Sequence, residues 1–208
     1  MSFRKEIDVG LVGEIDARRE LAAEGWLTIN TNTEKGNFPN VDLIAVKENQ
    51  VRHIQVKTTN GDLGSHRDCL FMGRAENWLS KKIPFYNNKK GPFKAHLIIL
   101  VHARRVKSRF VVLPVALAEN IAKSQAEAWF SIEKRDGTKR AAGFDARPGF
   151  LKIQKPRDRE NEIQKEFIDA YVQNAEKIQK KFLEFEDRWD LLDLSEENLL
   201  DQKIWSFA

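Results

Sequence analysis

Apolar residues recur at mixed three- and four-residue spacing between Asp8 and Glu24. Val9, Val12, Ile15 and Ala22, with neighbouring Leu11 and Leu21, predict a helix there, and Gly25 follows as its cap. Trp26 to Asn30 reads as a short strand, and Thr31 to Asn40, with its Asn, Thr, Gly and Pro, as a loop. Two strand patterns follow, Val41 to Val46 and Val51 to Thr58, joined by the polar Lys47-Glu48-Asn49-Gln50 into an antiparallel hairpin. Asn60 to Met72 is irregular, Ala75 to Lys82 predicts a helix that Pro84 ends, and Tyr86 to Pro92 reads as a turn-rich basic loop. Ala95 to Val101 is a continuous apolar run, the pattern of a central strand covered on both faces. Arg109 to Leu113 fits its neighbour, Pro114 to Ala122 a helix, and Ser131 to Ile153 a further hairpin around Asp136-Gly137.

Beyond Lys155-Pro156 the period changes. Ile168, Tyr171, Ala175, Ile178, Phe182, Phe185 and Trp189 form a heptad-like seam on a long helix over Glu160 to Trp189, which suits packing on its own domain or a dimer contact. The segment from Leu191 to Ala208 is acidic and amphipathic. The element order predicts an α/β fold, a mixed β-sheet flanked by helices, with residues 1–155 as the main domain and 156–208 as a helical C-terminal extension.

Composition narrows the class. The 208 residues are 41% hydrophobic and include 13 Phe and 5 Trp, enough for a core and unlike a disordered chain. No apolar run approaches the roughly 20 residues of a membrane span, and the first ten residues alternate charged with apolar ones, unlike a signal peptide. Cys69 is the single cysteine, so neither an internal disulfide nor a Cys-rich zinc site is expected, which fits a cytoplasmic protein. The net charge of +4 averages two unlike regions: Arg74 to Arg109 carries ten Lys or Arg against Glu76, and Glu184 to Asp201 eight acids against Arg188. The basic run suits a phosphate backbone, and a solvated surface produces such runs as well. No Gly-rich phosphate loop, Ser-His-Asp set or CxxC pair supports a kinase, esterase or redox reading.

The hairpin carries the chemistry. Asp42 opens one strand, and Gln55 and Lys57 stand two apart on the next, on one face by alternation. Polar groups where core residues would be cheaper need a compensating metal, a mutual ion pair or an exposed sheet edge. In the metal reading, Asp42 ligates Mg²⁺ or Mn²⁺, Gln55 offers its side-chain carbonyl and Val56 its main-chain carbonyl. Lys57 positions the attacking water or stabilises the pentacovalent oxygens, and Glu14, on the preceding helix, supplies a second carboxylate. Lys81, Lys82, Lys89, Lys90, Arg104, Arg105 and Lys107 would line the approach of nucleic acid, with Trp78, Phe85 and Tyr86 interleaved. Thr58, Thr59 and His53 share the strand; strand former and surface histidine are their simpler roles.

Three segments resemble the PD-(D/E)XK nuclease superfamily, the restriction-endonuclease-like fold of type II restriction enzymes, Mrr-type nucleases and archaeal Holliday-junction resolvases. They are Gly13-Glu14, Phe38-Pro39-Asn40-Val41-Asp42 at the family's Pro-Asp, and Ile54-Gln55-Val56-Lys57 at its (D/E)-x-Lys. Pro39 stands three residues before Asp42, and Gln55 replaces the acidic residue. The resemblance covers Val9 to Pro114 and implies a magnesium-dependent endonuclease acting on DNA, with Asp42, Gln55 and Lys57 in the catalytic positions and Glu14 assisting. Cutting both strands implies a homodimer. A second reading is a nuclease-like fold that has lost catalysis and binds nucleic acid or a partner protein, for which Gln55 is the argument. A third is a nuclease subunit docked to a partner through its acidic segment and seam.

Overall fold

A computed structural model describes residues 9–31, 41–59, 87–88, 91–92, 95–103, 107–132, 165–201 and 203–207. Helix α1 (Val9–Ala23) leads into strand β1 (Leu27–Asn30), then β2 (Leu43–Lys47) and β3 (Gln50–Thr59). The two-residue strands β4 (Asn87–Asn88) and β5 (Gly91–Pro92) pair with each other, in keeping with the turn-rich reading of that stretch. Strands β6 (Leu97–His102) and β7 (Arg109–Pro114) precede helices α2 (Val115–Phe130) and α3 (Lys165–Glu184), a 3-10 turn (Trp189–Asp193) and α4 (Glu196–Leu200).

The main sheet has five strands in the order β1-β2-β3-β6-β7. Every neighbouring pair is antiparallel except β3 and β6, which run parallel from Ile54 beside Leu97 to Thr59 beside His102. The chain is therefore α/β with a mixed sheet and flanking helices. All six β6 residues are buried, as the continuous apolar run predicts for a strand covered on both faces.

Helix α1 ends in a Schellman motif: Gly25, at φ +82°, donates to the Ala22 carbonyl (3.1 Å), and Trp26 donates to that of Leu21 (2.9 Å). The face it buries differs from the expected apolar set. Gly13, Ala17 and Leu21 are buried, whereas Leu11 and Ile15 are exposed. Small residues let the helix lie close on β3, and an ideal Cβ at Gly13 would stand 1.8 Å from Thr58 Oγ1. Thr58 thus has a packing role beneath the helix.

The long C-terminal helix stops at Glu184, five residues short of Trp189. The chain turns out of it to line the β7 edge: Val112 N–H donates to the Phe185 carbonyl (3.0 Å) and Asp187 N–H to that of Phe110 (3.1 Å). Glu186 bridges to Val111, and Asp187 adopts a left-handed φ of 53°. Phe185 and Trp189 are buried, but from this turn and the 3-10 segment, with Trp189 tilted on Phe110 at 5.4 Å. The seam residues are buried within the chain, so the seam packs as core of its own domain. Helix α2 runs on to Phe130, past the expected Ala122. The expected helix at 75–82 and hairpin beyond Ile132 lie outside the described residues.

Acids of the C-terminal segment are likewise engaged within the chain. Glu186 takes both Arg109 Nε and Nη2 at 2.5 Å, Asp190 pairs with Arg188 (2.7 Å), and Asp193 faces Lys47 (3.4 Å). Arg52, only 5% exposed, holds this segment to the sheet, donating from Nε to the Leu192 carbonyl (2.8 Å) and from Nη2 to that of Leu194 (2.6 Å). Four donations in all, the others to Val51 and Gln50, compensate a buried guanidinium whose pKa its own desolvation lowers. Among the described residues no helix is long and apolar enough to cross a membrane.

Candidate active site

Alternation along β3 divides its side chains: Arg52, Ile54, Val56 and Thr58 share one face, and His53, Gln55 and Lys57 the other. Asp42 stands just before β2. Its N–H donates to the Ile54 carbonyl (2.9 Å), although Leu43 is the strand partner of Ile54. Two residues set against one is the arrangement of a β-bulge, which re-aims a side chain. Here it turns the carboxylate back along β3. Asp42 Oδ2 accepts from Val56 N–H and from Gln55 Nε2, both at 2.8 Å. Gln55 is 6% exposed and Asp42 half-buried. Asp42 and Gln55, which the sequence sets on neighbouring strands of one hairpin, are in direct contact. Lys57 is half-buried and follows Gln55 on the same face.

Glu14 reaches the same end of the sheet from α1. Asn30 Nδ2 donates to Glu14 Oε2 at 2.7 Å, and Asn30 is the strand partner of Leu43, the residue after Asp42. Thr31 N–H donates to the Asp42 carbonyl (3.0 Å), and the Thr31 hydroxyl faces the carbonyls of Val41 and Asp42. Asn30 and Thr31 are both buried. In the sequence they stand at a strand end and a loop start, with no signal tying them to the carboxylates, because the tie depends on strand register and on a helix residue sixteen positions earlier in the chain. Gly13 is the other residue whose role only packing reveals.

Asp42 is in direct contact with Gln55 and Val56, whereas Glu14 is held by Asn30, whose register places it on the Ile54 face of the sheet; oxygen donors of this kind suit a hard divalent cation. Among the described residues no group of three or more His, Cys, Asp or Glu is placed to hold a metal. A metal would therefore draw on the Asp42 and Glu14 carboxylates, the Gln55 amide oxygen and the Val56 carbonyl, the oxygen set that Mg²⁺ accepts alongside retained waters. In the arrangement described, the Gln55 NH₂ group stands against Asp42 and partly neutralises it by hydrogen bonding.

His53 lies on the Gln55 face but turns to a different neighbour. Its ring stacks on His96 with centroids 5.0 Å apart, and its main-chain N–H donates to His96 Nδ1 (3.2 Å). The far nitrogen of His96 faces Glu196 at 3.3 Å, tying α4 to the sheet. Arg74, Lys81, Lys82, Lys89, Lys90, Lys94, Arg104 and Arg105 lie outside the described residues. Of the remaining basic run, Lys107 is exposed and Arg109 is committed to Glu186. No family model, curated protein or solved structure matches the chain.

Proposed function

We propose that the chain is a metal-dependent endonuclease of the PD-(D/E)XK type, hydrolysing phosphodiester bonds in DNA. The observation that carries this reading is the Asp42 carboxylate held at 2.8 Å by both Gln55 Nε2 and Val56 N–H, with Lys57 next on the Gln55 face. Support comes also from the strand arrangement around it, an antiparallel β1-β2-β3 meander followed by β6 parallel to β3, with Glu14 delivered by the preceding helix.

A divalent cation at this oxygen set would offset the charge developing on the phosphate and make a bound water a better nucleophile. The chain's own residues do the remaining work. Asp42 and Glu14 present carboxylate oxygens, the Val56 carbonyl and the Gln55 amide complete the polar lining, and the Lys57 ammonium orients the attacking water or holds a pentacovalent oxygen. The exposed Lys107 and the neighbouring basic run would meet the DNA backbone. Two-strand cleavage calls for a pair of such sites, hence a homodimer, through a surface other than the seam.

Incubating supercoiled, linear and branched DNA with the protein tests the proposal. Cleavage with Mg²⁺ or Mn²⁺ that EDTA abolishes supports it. Salt-dependent binding without cleavage under either metal supports instead a nucleic-acid-binding module. Gln55 in place of an acidic residue favours that second reading, because an amide ligates a hard cation less strongly than a carboxylate.

A further inference from the structure

Glu14 belongs to a helix and Asp42 to the sheet, so a cation held by both requires something to fix one relative to the other. We infer that Asn30 is the positioning residue that holds Glu14 for metal binding, an inference that rests on the proposed function. Asn30 is 7% exposed, and its Nδ2 lies 2.7 Å from Glu14 Oε2. A neutral amide donor holds a carboxylate without adding a charge that would compete with the cation. The backbone on either side of this amide is locked as well: Asn30 sits in the β1–β2 ladder beside Leu43, and the next N–H, that of Thr31, donates to the Asp42 carbonyl at 3.0 Å.

A continuous path therefore runs from the Glu14 carboxylate through the Asn30 side chain to the main chain of Asp42. Gly13 completes it from the helix side, since only a residue without Cβ allows α1 to approach Thr58 so closely. A long Glu side chain has several rotatable bonds, and restricting it beforehand removes part of the entropy cost of ligation. Asn30 need touch neither metal nor substrate to do this.

The test is a double-substitution cycle on the full chain, with Mn²⁺ binding read by electron paramagnetic resonance. Asn30→Ala should weaken Mn²⁺ binding by roughly 10- to 100-fold, the range for residues that orient metal ligands. In a Glu14→Gln background the same substitution should change binding by less than about twofold, because the group it acts through is gone. A merely structural role would weaken binding equally in both backgrounds and would overturn the inference, as would unchanged binding in Asn30→Ala alone. If the unchanged chain binds no Mn²⁺, the proposed function falls and this role with it; if it binds and Asn30→Ala matches it, only this role falls. Should Asn30→Ala not fold, the Asn30 side-chain amide resonances report on the chain with Asn30 intact. They should move in Glu14→Gln and on Mg²⁺ addition, and failure to move in either overturns the inference.

Discussion

Gln55 Nε2 donates to Asp42 Oδ2 at 2.8 Å, so the amide occupies the place where a second carboxylate would meet the first. Gln55→Glu would set two carboxylates at that separation. Without a cation, like charges so close raise one pKa or push the groups apart. The expected outcome is a protein destabilised by about 1–3 kcal/mol in EDTA, a melting point lower by roughly 2–10 °C. Saturating Mn²⁺ should restore most of that loss and bind more tightly than to the unchanged chain. Thermal melts with and without Mn²⁺, with calorimetric titration, check it.

Gly13 meets a contact requirement between α1 and β3. A Cβ at this position would lie 1.8 Å from Thr58 Oγ1 and 2.7 Å from its Cβ, so Gly13→Ala forces α1 off β3. Overpacking of this kind costs typically 1–3 kcal/mol. Thr58→Ala combined with Gly13→Ala should recover part of the stability but not all, since the Thr58 Cβ clash remains. Urea unfolding of the two single variants and the double variant measures this.

His96 makes stability fall on the acid side. Burial lowers its pKa from the usual 6.5, with Glu196 opposing and neighbouring His53 and Arg52 reinforcing the shift. Nδ1 accepts from His53 N–H, so the folded state holds the ring neutral with its proton on the nitrogen facing Glu196. The unfolded chain then binds the proton more readily than the folded one. The contribution is fully present above about pH 6.5 and is lost as pH drops through the folded pKa. Unfolding free energy measured from pH 7.5 to 5 should decline, and His96→Asn should flatten that decline.

Much of the fold was legible because its signals are local. The Gly25 cap, the β2–β3 hairpin and the buried β6 run follow from period and turn chemistry within a few residues. The end of α3 was not legible: Phe185 and Trp189 keep helical spacing, but pairing of 185–187 with the β7 edge, a contact some 75 residues away, outweighs continuation of the helix. The face of α1 was misread for a related reason, since close approach to β3 selects Gly13 and Ala17 over the larger Leu11 and Ile15. Of the site, the shared face of Gln55 and Lys57 followed from strand alternation, and the hairpin brought Asp42 to the neighbouring strand. The bulge that aims Asp42, the Asn30 hold on Glu14 and the burial of Arg52 under residues 192–194 depend on register and long-range packing.

In the proposed reaction Asp42 and Lys57 act together in metal-dependent hydrolysis. Asp42→Asn keeps an acceptor for the Val56 N–H, which Ala would leave unsatisfied, and Lys57→Ala removes the ammonium alone. Cleavage of supercoiled plasmid in Mg²⁺ or Mn²⁺, compared across the unchanged chain and these two variants, measures their joint role. The expected result is cleavage by the unchanged chain and a loss of at least about 100-fold in each variant, with the fold intact by thermal melt. Full metal-dependent cleavage by either variant would contradict it.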